Sequence, residues 1–140
     1  RWSTSGQRVA ILERNASWFA PWQNHSGEIS VEAPPPSLLS IRQDFAGLVW
    51  RLVLVADPDY KPLRTRDASQ ERAMYSVSDE ARLNDTIIEV LDPATGRLVA
   101  SQRFDAAMMW FVGSDMVSEV GLDAGGDLEV RLWRLRLIRP

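Results

Sequence analysis

Residues 86–104 read TIIEVLDPATGRLVASQRF. Two apolar runs, 86–91 and 97–104, flank the pentapeptide Asp92-Pro93-Ala94-Thr95-Gly96. Pro93 presets φ for the second position of a type I turn, Asp92 has a side chain able to cap it, and Gly96 can take φ > 0. Two β-rich runs split by a loop of this chemistry make a hairpin. The stretch therefore points to antiparallel β structure and supplies a unit with which other segments can be compared. It carries no reaction chemistry of its own.

Working outward on the C-terminal side, residues 106–140 supply three more strands. Residues 108–112 lead to a turn at Gly113-Ser114-Asp115, and 116–122 follow. Asp123-Ala124-Gly125-Gly126-Asp127 then makes a glycine hairpin loop into a strand over 128–138. Asp123 and Asp127 have a faint calcium-loop spacing but lack the remaining ligands, so a plain hairpin is expected. In the last strand the apolar set moves from Leu128, Val130 and Leu132 to Trp133, Leu135 and Leu137, which predicts a β-bulge near Leu132-Trp133. Arg131, Arg134, Arg136 and Arg139 read as its solvated side.

On the N-terminal side, residues 37–56 (SLLSIRQDFAGLVWRLVLVA) read as strand, tight turn and longer strand. The turn is Asp44-Phe45-Ala46-Gly47. The second strand, 48–56, is apolar on both faces and broken only by Arg51. A strand of that kind has to be covered on both faces, so its sheet is expected between two neighbours. Between this strand and the opening hairpin, residues 57–85 interrupt the β pattern. Asp67-Ala68-Ser69-Gln70 has the form of a capping box, and Met74, Val77 and Ala81 would line a short helix in the 59–84 insertion, with an ordered loop as the alternative. Asp57, Asp59, Asp79, Glu80 and Asp85 form the densest acidic group. A solvated surface is the ordinary reading of such a group, and a Ca²⁺ or catalytic carboxylate site the less common one.

Residues 15–36 are loop by composition, with Pro21, Asn24, Gly27 and the extended run Pro34-Pro35-Pro36. Trp18, Phe19 and Trp22 are an unusual aromatic load for a loop. They read first as a plug folded onto the core, and second as a stacking platform for a sugar or peptide. His25, the single histidine, has no companion ligands at metal spacing and reads as a solvated loop residue, so no metal ligand set and no cofactor are expected.

Composition bounds the rest. The 140 residues make one domain's worth of chain, the formal net charge is -3, and cysteine is absent. Nucleic acid and anionic lipid are not expected as partners. Disulfides, thiolate metal sites and cysteine nucleophiles are excluded. No apolar run approaches the roughly 18–20 residues of a membrane span. The first residue is arginine rather than methionine, which suggests that residues upstream have been removed.

Repeats organise the pieces. Ser5-Gly6-Gln7-Arg8-Val9-Ala10 matches Thr95-Gly96-Arg97-Leu98-Val99-Ala100, and an aromatic pair follows each copy, Trp18-Phe19 and Trp110-Phe111. Phe45-Ala46-Gly47-Leu48-Val49 resembles Phe111-Val112-Gly113 with Met116-Val117. Removing an insertion of about 25 residues leaves a period of roughly 40, the length of a four-stranded propeller blade. The expected organisation is a single all-β domain or fragment: an outer-strand hairpin at 1–14, a four-stranded blade at 37–104 with its insertion, and a three-stranded blade at 106–138.

WSTSGQRVAILER followed by SWFAPW, the run FAGLVWRLVLVADPDYKP, NDTIIEVLDPATGRLVASQRFD and the C-terminal LEVRLWRLRL together resemble the closing blades of uncharacterised bacterial six-bladed β-propeller proteins. The shared motifs are turn glycines, strand aromatics and a Pro-Gly hairpin, and no catalytic residue transfers with them. The resemblance implies antiparallel blade-like sheets, a partial β-propeller, and a periplasmic or secreted location. It departs from the family in length, since six blades need about 250 residues and this chain holds about two and a half. Bare blade faces or edges then imply either a larger parent protein or self-association. The functional expectation is a non-catalytic binding, interaction or structural module for an unknown small ligand or protein. Its candidate contact residues are Trp18, Phe19, Trp22, His25, Asp57 and Asp59. The alternative is part of a propeller-fold hydrolase or lyase with a metal or carboxylates on the central axis.

Overall fold

Strand alternation assigns every residue of the central hairpin to one of two faces. In the computed structural model, which describes residues 4–8, 11, 13–19, 33–60 and 83–138, the elements are β1 (Ser37–Gln43), β2 (Val49–Ala56), β3 (Asn84–Asp92), β4 (Arg97–Phe104), β5 (Met108–Val112), β6 (Met116–Leu122) and β7 (Leu128–Arg134). All pair antiparallel, in a four-stranded sheet ordered β1-β2-β3-β4 and a three-stranded sheet ordered β5-β6-β7. The chain is all-β across these residues. The helix expected in the insertion falls on 61–82, outside the described residues.

The opening hairpin forms as its residues dictate. Asp92 Oδ1 accepts from the Ala94 amide at 2.8 Å and Oδ2 from the Thr95 hydroxyl at 2.9 Å. The Gly96 amide donates to Asp92 O, with Gly96 at φ 71°, where a side chain would be strained. The turn before β2 uses the same logic. Asp44 Oδ1 accepts from the Leu48 amide at 2.9 Å, and its Oδ2 accepts from Trp50 Nε1 at 2.8 Å. Phe45 is left fully exposed at the tip.

Trp50 and Leu52 of β2, Ile88 and Val90 of β3, Met108 of β5 and Val117 of β6 pack together with Leu48 as one core shared by both sheets. Leu52 and Val117 are wholly buried, each contributing about 1.5–3 kcal/mol by area. The Arg42 guanidinium lies between the Trp50 and Phe111 rings, 5.0 and 4.6 Å from their centroids, and donates to Gly113 O. It is a cation–π strut from β1 to β5.

The link between the sheets is short and polar. Thr86 of β3 is wholly buried. Its hydroxyl donates to Ala106 O at 2.6 Å and accepts from the Met108 amide at 2.8 Å. The crossover at 105–107 is thereby pinned against β3, which sets where β5 begins.

The C-terminal strand differs from its sequence reading. β7 pairs with β6 without a register shift through Val117↔Trp133 and Met116↔Arg134, so Leu132-Trp133 carries no bulge. The apolar set changes face by ordinary alternation, Leu132 lying opposite Ser118 on the outer face and Trp133 opposite Val117 on the inner one. The Leu135 amide bonds Asp115 O, and Leu135 and Leu137 fold onto the shared core. Register shifts occur instead at Leu38/Ser40, Val90/Leu91 and Met108/Trp110.

Two expectations follow. Thr86→Val leaves the buried Met108 amide and the half-buried Ala106 carbonyl without this partner and lowers stability by about 1–3 kcal/mol in urea unfolding; an unchanged midpoint would rule out the relay as a structural link. Burial raises the Asp44 pKa, but hydrogen bonds from Trp50 and Leu48 outweigh it and leave the carboxyl below its usual value. The stability Asp44 contributes is thus complete above about pH 4, its unfolded value, and is lost as pH falls through the folded one. Melting temperature against pH should fall less steeply below that point in Asp44→Asn than in the wild type, and parallel curves would contradict the assignment.

Candidate functional site

The face of the first sheet turned away from the shared core is part apolar and part charged. Val53 and Val55 of β2 and Ile87 of β3 form its apolar strip, on which Trp18 packs. Glu89 sits at the next same-face position of β3, directly opposite Arg51 of β2, and is wholly buried. Its Oε2 accepts from Arg51 through Nε at 2.9 Å and also through Nη2. Its Oε1 accepts from Arg14 Nη2 at 3.3 Å and from Trp18 Nε1 at 3.4 Å. Arg51 also stands 5.6 Å from the Trp18 ring centroid.

Why these groups meet is local. β2 and β3 are antiparallel neighbours, and each has a single charged residue inside its apolar run, so the pairing sets one against the other. A carboxylate this deep requires paired donors, and the segment holding Arg14 and Trp18 brings two more. Trp18 thereby covers the second face of the β2–β3 pair. Phe19 follows edge-on to Trp18 at 6.3 Å and is exposed. The two aromatic residues therefore divide: Trp18 lies on the sheet, while Phe19 faces solvent. Trp22 and His25 lie outside the described residues.

The second polar group lies where β2 ends, β3 begins and β4 ends. Asp57 is half-buried, Asp85 buried and Asp105 exposed, and one carboxylate oxygen from each lies within 4.8 Å of the other two. Arg103 of β4 donates through Nε to Asp85 Oδ2 at 2.5 Å and through Nη2 to Ala56 O at 2.7 Å. Asp59 is exposed and its amide caps Asp57 Oδ1 at 2.6 Å. Of the acidic group read from the sequence, Asp57 and Asp85 converge, and Asp79 and Glu80 lie outside the described residues. In the β6–β7 hairpin Asp123 Oδ1 is used by the Gly125 and Asp127 amides of its own loop, so that turn is a plain hairpin.

Sequence reading did not single out Glu89, Arg14 or Asp105. A lone acid in one apolar strand and a lone base in the adjacent one was the available signal for Glu89. Asp105 had none, because its place depends on the Thr86-pinned crossover. Compared with protein-family models, curated proteins and solved structures, the chain matches none of them.

Glu89→Ala strands Arg51 and the Trp18 indole and should cost about 3–5 kcal/mol in urea unfolding, more than replacing Glu89 and Arg51 together by Leu and Met. A loss below about 1 kcal/mol would instead match an ordinary surface pair.

Proposed function

We propose that the chain is a non-catalytic interaction module of β-propeller type, its two sheets serving as consecutive blades. What carries the reading is the outer face of the second sheet. Trp110 of β5, Leu122 of β6, and Leu128, Val130 and Leu132 of β7 share the face opposite Met108, Phe111 and Val117. All five are between 40% and 65% exposed. A contiguous apolar face of this kind marks an interaction surface. A sheet that is apolar on both sides is patterned for the interior of a stack.

Further support comes from strand order and size. Four strands and then three run as simple up-and-down meanders, each strand paired with its sequence neighbour. The second sheet rests against the β1–β2 side of the first through Arg42, Trp50 and Phe111. The occupant proposed for the bare face is another apolar antiparallel sheet. For the chain by itself, that is the same face of a second copy.

Sedimentation velocity of the 140-residue chain should reveal dimers or larger species. Val130→Lys combined with Leu132→Glu should return a monomer with an unchanged far-ultraviolet circular dichroism spectrum. A wild-type chain that stays monomeric at the highest concentration reached would overturn the proposal.

A further inference from the structure

We infer that Asp57, Asp85 and Asp105 form a binding site for one Ca²⁺ ion. Three carboxylates meet there from three separate parts of the chain, the β2 exit, the start of β3 and the crossover after β4. Among the described residues Arg103 is the only cation bonded to them, so the group carries a formal charge that a divalent ion would neutralise.

A second observation points to a ligand. The Asp85 side chain is only 6% exposed. Arg103 engages its Oδ2, whereas its Oδ1 is buried with no hydrogen-bond partner among the described residues. The two bonds Arg103 makes here, from Nε to Oδ2 and from Nη2 to Ala56 O, leave Oδ1 untouched. A buried acceptor without a donor is uncommon and calls for a missing partner, such as an ion. Two neighbouring carboxylates exclude an anion and favour a hard cation.

Coordination flexibility favours calcium. Ca²⁺ accepts six to eight oxygens in variable geometry, whereas Mg²⁺ demands a near-ideal octahedron. Three carboxylates from separate parts of the chain, one oxygen of each within 4.8 Å of the other two, suit the more tolerant ion. Exposed Asp105 leaves one side open, so water can complete the six to eight oxygen ligands that Ca²⁺ takes. The site would tie the end of the first sheet to the crossover that starts the second.

The probe is CaCl₂ added to the full chain after chelator treatment, followed by calorimetric titration and thermal melting. Saturable binding of one ion per chain is expected, with a higher melting temperature in Ca²⁺ than in chelator and much weaker binding of MgCl₂. Asp105→Asn should weaken calcium binding by about tenfold or more while leaving the calcium-free fold intact. Asp57→Asn, also outside the strands, gives an independent check should the first variant fold poorly. No saturable binding at millimolar calcium, equal affinity for Mg²⁺, or affinity unchanged in both variants would overturn the assignment.

Discussion

One hydroxyl group pins the crossover between the two sheets. Thr86 lies in β3, the most enclosed of the described strands, and its Oγ1 bonds both Ala106 O and the Met108 amide. Without it, the buried Met108 amide and the half-buried Ala106 carbonyl would each lose that partner. With it, β5 begins at a fixed height beside β3. Met108 and Val117 then meet Leu52 and Ile88 in one core. The apolar packing and the hydroxyl relay thus act at the same junction.

The same strand divides the molecule into two chemical halves. Thr86, Ile88 and Val90 point toward the second sheet, while Asp85, Ile87 and Glu89 point the other way. Each acid on that far side is met by an arginine one strand over, Arg103 from β4 and Arg51 from β2. Between them lies an apolar strip under Trp18. Glu89 accepts four hydrogen bonds from three partners, Arg14, Arg51 and Trp18, so both its oxygens are satisfied. The Asp85 corner is only partly closed, since Asp57 and Asp105 add negative charge and one oxygen remains unpaired.

Most of the first-order architecture was legible in the residues. Asp92-Pro93 and Gly96, Asp44 and Gly47, and the Gly125-Gly126 loop mark hairpins by backbone chemistry that works locally. Alternation placed the sheet of β2 between two neighbouring sheets; the second sheet covers one face, whereas among the described residues the other is covered by Trp18 and not by a sheet. What could not be read was set by distance in the chain. Arg14 reaches Glu89 across 75 residues, and Asp105 joins Asp57 only after the sheet has formed. The end of β7 was misread because an apolar set passing from one face of a regular strand to the other looks in sequence like a one-residue slip. The unbroken register through Ser118↔Leu132 and Val117↔Trp133 distinguishes them.

The chain keeps one face of its second sheet for internal packing and leaves the other exposed. Both sheets are expected to unfold as one cooperative unit joined through Thr86, which native-state amide hydrogen exchange can resolve strand by strand. The Met108 and Val117 amides should exchange with the same opening free energy as those of Leu52 and Ile88, and Thr86→Val should lower all four together. If the β5–β7 amides exchange much faster than those of β2 and β3, and do so regardless of Thr86, the sheets are independent and the account fails.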